Sequence, residues 1–184
     1  MQNRLPSKKH LLHLLNLVTE AQAKSEAPMS REDMLYQILY SHHLEKMFCT
    51  ITGRIDKCLS FLLFLLGSSV IAGMGYAVLI GLLIAGISAI KMAFHFEAAA
   101  EHSRKQAATY LRLYMTQNQF ITDSELQNAI ADAQDGDHNP WRALYFPAMV
   151  ATQIELGISP TATLTVIEKL FAFCSGAVIK PRTA

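Results

Sequence analysis

CLSFLLFLLGSSVIAGMGYAVLIGLLIAGISAI, residues 58–90, is a run of 33 residues without a single Asp, Glu, Lys, Arg or His. One unbroken helix of that length measures about 50 Å, against a hydrocarbon core of about 30 Å. A single span would have to tilt steeply. The run reads better as two short spans, residues 55–73 and 76–94, reversed at Gly73-Met74-Gly75-Tyr76. Gly73 and Gly75 supply the positive φ that a tight reversal needs. The competing reading is a buried hairpin in a soluble helical domain. It is the weaker reading, because a helix with no charge on any face has no side for water. A run that begins at residue 58 also does not fit a cleaved signal peptide.

The charges around the run set its orientation. Lys46, Arg54 and Lys57 precede it, Lys91, Arg104 and Lys105 follow it, and the turn carries none. The positive-inside rule then keeps both termini in the cytoplasm, and Arg54, Lys57 and Lys91 can snorkel to the interface. Three cysteines, Cys49, Cys58 and Cys174, form no C-x-x-C motif and no even disulfide set, which suits a reducing compartment. The whole chain has 184 residues, 51% hydrophobic and 17% charged, with a formal net charge of +1. That is too apolar for a disordered chain and too neutral for a nucleic-acid binder.

Within the second span, Ala77, Gly81, Ala85 and Ala89 recur every four residues. They form a ladder of small residues on one helix face, where backbones can approach closely. The ladder is expected to pack against another helix, either the first span of the same chain or a second subunit. Between Lys57 and Lys91 the spans hold no ionisable residue, so a proton relay or charged transport site is not expected there.

The flanks read as amphipathic helices. Ser30 is a good N-cap with Glu32 and Asp33 in the first turn, and Met34, Ile38, Leu44, Phe48, Ile51 and Ile55 mark an apolar face. Residues 8–24 form an earlier amphipathic segment that either lies on the membrane surface or docks on the cytoplasmic part. After the run, residues 91–119 lack Gly and Pro. Ala93, Phe96, Ala100, Ser103, Ala107, Tyr110, Tyr114, Gln117 and Ile121 alternate by three and four, a heptad seam. Its partner is the helix before the hairpin or another subunit; Ala100, Ala107, Tyr110 and Tyr114 are its central positions. Further on, the spacing predicts a helix over 124–133 capped by Asp123. A second starts at Asn139-Pro140, is broken by Pro147 and stops at Gly157, and a third runs from Ser159-Pro160 to about Cys174. No segment alternates with the period of a strand. The expected fold is all-α: an N-terminal amphipathic helix in residues 1–29, a hairpin unit over 30–122, and cytoplasmic helices over 123–184.

Clusters that could carry chemistry are thin. Asp132, Asp135, Asp137 and His138 surround Gly136, but the spacing lacks the twelve-residue calcium-loop pattern and reads as a solvated helix end. Glu97, Glu101 and His102 read as a solvent face paired to Lys105. His42 and His43 are adjacent, so they point different ways on a helix and do not ligate one metal together. Trp141, Tyr145 and Phe146 form an aromatic patch, read as core. None of the common nucleotide-binding, hydrolase or zinc-protease motifs is present. No catalytic, cofactor or metal site is expected.

The layout resembles a family. An amphipathic helix runs from His42-His43 to Arg54-Ile55-Asp56-Lys57, two short spans are joined by a glycine turn, and FEAAAEHSRKQAATYL follows at residues 96–111. It is similar to the SLATT group of bacterial two-span proteins, over roughly residues 34–118. The resemblance implies a membrane-perturbing or pore-forming effector in conflict with phages or mobile elements. It transfers no catalytic residue, and it does not extend beyond Ser124. The expected protein is therefore a non-enzymatic inner-membrane protein in contact with the lipid bilayer, a homo-oligomer or the subunit of a membrane complex such as a conjugation, secretion or exclusion machine. Nucleic acid is not an expected partner.

Overall fold

The computed structural model describes residues 29–71, 76–137, 139–160 and 163–177. Among these the chain is helical throughout, without a strand. The amphipathic segment at 8–24 and the turn residues Gly73 and Gly75 lie outside the described residues.

Helix α1, Arg31–Ile71, is 41 residues long, about 60 Å. Ser30 starts it: its hydroxyl accepts from the backbone N–H of Asp33 at 3.2 Å, satisfying one of the donors a helix start leaves open. Helix α2 spans Ala77–Phe94 and α3 spans Phe96–Thr116. Between them His95 sits at φ 46°, ψ 44°, the only non-glycine with positive φ among the described residues. The continuous helix expected over 91–119 is thus interrupted by one left-handed residue, a conformation that costs roughly 1–2 kcal/mol for an L-residue.

Helix α3 runs antiparallel to α1. Three contacts give the register: Tyr110 and Leu113 share a cluster with Met34 and Ile38, the His42 ring meets the Ala107 carbonyl at 2.8 Å, and Ala100 lies against Gly53. The heptad spacing explains this packing in its middle. Ala100, Ser103, Ala107 and Tyr110 are buried, and Tyr114 is half-buried. Gln106 and Leu113 are buried as well, which the heptad reading missed. The ends of the seam do not pack. Ala93 is exposed on α2, and Ile121 stands 91% exposed beyond the helix end.

Three further helices complete the molecule: α4, Asp123–Gln134, α5, Tyr145–Glu155, and α6, Val166–Ser175. The starts of α4 and α6 differ from the sequence reading for a common reason. Side-chain capping decides a helix start, and reciprocal Thr–Glu boxes outcompete Asp123 and Ser159-Pro160. Thr122 and Glu125 cap α4, and Thr165 and Glu168 cap α6. Asn139-Pro140 does not open a helix; a short turn at Arg142–Leu144 precedes α5. Pro147 then falls in the first turn of α5, where its missing N–H breaks nothing, so no kink results. Gly157 and Gly176 terminate the last two helices at φ 72° and 73°.

Helix α1 packs against every other described helix. The described helices beyond residue 123 share its core. Leu126 and Ile130 join Met34, Ile38 and Tyr110 in one core cluster. Leu144, Ala148 and Ala151 join Met47, Phe48 and Ile51 in a second. Trp141 is half-buried in that second cluster, edge-on to Phe48 at 5.5 Å and to Phe171 at 6.1 Å. Phe146, read as core, is 49% exposed.

Candidate functional site

Helix α2 has no buried residue. It packs on α1, and its half-buried residues are Ile80, Ile84, Ile87 and Lys91, while Val78 is 89% exposed and Leu82 70%. In α1, Phe61 and Phe64 are 60% and 69% exposed. Side chains this large and this apolar, exposed along most of a helix, form a surface that water solvates poorly. Among the described residues one helix, beginning at Ala77, is long and apolar enough to cross a membrane, and none of its apolar window is buried within the chain. The described uncharged part of α1, residues 58–71, measures only about 21 Å.

The small-residue ladder faces away from α1. Ala77, Gly81, Ala85 and Ala89 are all exposed, and a Cβ added at Gly81 would meet nothing within 4 Å. The half-buried positions of α2 are three isoleucines and Lys91, not the small residues.

A polar layer closes the base of this apolar pair. Lys91 forms an ion pair with Asp56 at 3.0 Å and donates to the Ser60 hydroxyl at 2.5 Å. Arg54 donates to the Cys174 carbonyl at the end of α6, where a cation also meets the negative end of the helix dipole. Lys46, Arg54, Lys57 and Arg104 line a groove of about 380 Å³ between α1 and α3, together with Thr50 and Gly53. On the other flank of α1, an almost wholly apolar groove of about 580 Å³ opens between Ile51, Ile55 and Cys58 on one side and Leu170 and Phe173 on the other, above Trp141.

The other sequence clusters have structural tasks. Asp137 is an anchor: its carboxylate accepts from Tyr110 Oη at 2.7 Å and from Gln106 Nε2 at 2.9 Å. The Gly136 carbonyl meets His102 Nε2 at 2.8 Å. The acidic turn is thereby fastened to three successive turns of α3. Burial, with the Asp137 carboxylate beside it, pushes the Tyr110 hydroxyl well above its ordinary range. Glu101 pairs with Lys105 at 3.7 Å on the exposed face, a contact worth little in water. Among the described residues no three His, Cys, Asp or Glu side chains gather as a metal-holding group.

His42 and His43 diverge, as adjacent helical residues must. Nδ1–H of His42 donates to the Ala107 carbonyl, while His43 Nε2 lies 2.7 Å from a carboxylate oxygen of Glu155. Desolvation pulls both below the ordinary value near 6.5, for His43 in spite of Glu155. The His43–Glu155 contact at neutral pH is therefore a hydrogen bond that the neutral ring donates to the carboxylate. Because both folded-state values are depressed, the unfolded chain takes up protons first on acidification. Stability is full above about pH 6.5 and falls below it. A melting series from about pH 8 to about pH 5 should show this decline, and His42→Asn, which keeps a donor for Ala107, should flatten it. An unchanged slope in the variant would remove His42 from the explanation.

The site is thus an apolar helix pair with a charged base. Comparison of the chain with family models, with characterised proteins and with solved structures returns no match.

Proposed function

We propose that the protein crosses the bilayer twice, with both termini cytoplasmic, and acts through self-association of its spans as a membrane-perturbing or pore-forming effector. The observation that carries this reading is α2: apolar on every face, unburied, and with its ladder of small residues turned away from its own partner helix. In lipid, helix association draws on close backbone packing, and a free small-residue face supplies it. The polar base of Arg54, Asp56 and Lys91 suits the cytoplasmic edge of a span, where lysine and arginine are favoured. The bundle of α3 to α6 then stands on the cytoplasmic side. The reading needs no catalytic step.

Two measurements test it. Reporter fusions at the N-terminus, near Gly75 and at the C-terminus should report cytoplasm, periplasm and cytoplasm; a periplasmic C-terminus would mean a single span. Gly81→Ile would hold neighbouring backbones apart, so it should abolish cross-linking between chains in the membrane while insertion and protein level stay normal. Leu79→Ile, off the ladder, is the control. Cross-linking that survives Gly81→Ile would show that the ladder faces lipid and that self-association, if any, uses another surface.

A further inference from the structure

Helix α6 carries its large apolar side chains on the outside. Its inner face is built of Ala172 and Ser175, with Phe171 half-buried beside them. Val166, Ile167, Leu170 and Phe173 are 83%, 64%, 58% and 80% exposed. At 3.6 residues per turn these four fall within an arc of about 120°, with Lys169 at its margin. A helix of a water-soluble bundle has the opposite pattern.

The position of this face in the molecule indicates what covers it. The C-terminal end of α6 lies beside the first half of α1: Gly176 and Ala177 border one groove with His43 and Met47. Further along, Leu170 and Phe173 border the apolar groove with Ile55 and Cys58. Moving along α1 toward its uncharged end therefore means moving along α6 toward its N-terminus. Cys58 is the first residue of the uncharged run, and the Asp56–Lys91 pair lies at the same level. Leu170 and Phe173 sit at that level, and Val166 and Ile167 continue in the same direction.

We infer that the exposed face of α6 rests in the headgroup–acyl boundary of the bilayer that α2 crosses, so that the occupant of this face is a lipid surface. The inference rests on the membrane reading above. Several features agree with it. The helix is one-sidedly apolar and edged by a lysine, a pattern it shares with interfacial helices. Trp141, at the floor of the groove, is the one tryptophan of the chain, and tryptophan is favoured at membrane interfaces. Lys57 is exposed at the same level, and among the described residues it has no carboxylate partner, which leaves it to meet phosphate headgroups. Arg54 is the positioning residue, since its bond to the Cys174 carbonyl ties α6 to the base of the span. In this arrangement α6 holds the cytoplasmic bundle against the membrane and fixes its orientation to the spans.

The test uses the full chain with Cys49→Ala, Cys58→Ser and Cys174→Ser, reconstituted in vesicles of phosphatidylcholine and phosphatidylglycerol. A nitroxide is placed in turn at Phe173→Cys, Val166→Cys, Lys169→Cys and, within α2, Val78→Cys. All four labels replace exposed side chains, so the fold is retained. Collision with oxygen, which concentrates in lipid, is compared with collision with a water-soluble nickel chelate. The oxygen-to-nickel ratio at 173 and 166 should approach that at 78 and exceed that at 169 several-fold. A ratio at 173 as low as at 169, with 78 still lipid-like, would put the face in water and overturn the inference while leaving the spans intact. Protection of 173 from both reagents would show a protein cover, a second copy or another part of this chain, and would overturn it equally. Nickel access at a further label deeper in the span, Leu82→Cys, would overturn the membrane reading itself.

Discussion

Tyr110→Asp is expected to destabilise the protein by at least about 4 kcal/mol, enough to deplete it from cells and to abolish a cooperative melt in detergent. Tyr110 is fully buried between α1, α3 and α4, in a cluster with Met34, Ile38 and Leu126. Removing a buried aromatic ring costs about 3–5 kcal/mol through lost transfer energy and the cavity left behind. The new carboxylate adds a desolvated charge directed toward Asp137, which now accepts the tyrosine hydroxyl at 2.7 Å. Tyr110→Phe separates the terms. It keeps the ring and loses one hydrogen bond to a charged acceptor, so it should cost only about 1.5–3 kcal/mol. Ala107→Asp should fall between the two. Ala107 is 6% exposed, but it borders the groove of Lys46, Arg54 and Arg104, whose cations partly offset a new carboxylate. A Tyr110→Asp protein of normal abundance and melting temperature would show that the seam faces water in the native protein.

Leu82→Arg is the second large effect, and it separates a lipid surrounding from an aqueous one. Leu82 is 70% exposed near the middle of α2. On a soluble protein, such a surface substitution changes stability by no more than about 0.5 kcal/mol. At the centre of a membrane span, arginine costs about 2.5–3.5 kcal/mol by insertion scales. A span of 18 residues, about 27 Å, has little excess hydrophobicity to absorb that. The variant should be degraded or should partition out of the membrane fraction, whereas Leu82→Ile should behave as the parent. Normal membrane insertion of Leu82→Arg would mean that this face of α2 lines water.

Local order was legible where one physical rule acts alone. The N-cap at Ser30 needs only a hydroxyl and the next three residues, and the all-helical character follows from periodicity that no strand pattern contests. The helix starts in the last third were misplaced because two rules competed there. Proline and aspartate marked possible beginnings, but the Thr122–Glu125 and Thr165–Glu168 pairs each satisfy a donor at both ends of the box. Pro147 reads as a break until the helix start is known, because a proline is harmless only in the first turn. His95 gave no signal at all; its left-handed conformation leaves no mark in a sequence without glycine at that position.

The residues by themselves determined that this chain has a segment unfit for water, that charges flank it on both sides, and that a helix with a seam of small and aromatic residues follows. Transfer free energy and helical period are local properties of composition and spacing, so they can be read without a fold. Which surfaces meet is a property of the assembled chain. Only the tertiary structure decided that α3 packs on α1, that Asp137 is held by Tyr110 and Gln106, and that isoleucines rather than the small ladder are the half-buried apolar residues of α2. It also turned Val166, Ile167, Leu170 and Phe173 outward on a helix whose apolar residues alone do not say which way they face. A side chain's partner depends on the rotation and register of whole helices, which the sum of many distant contacts sets.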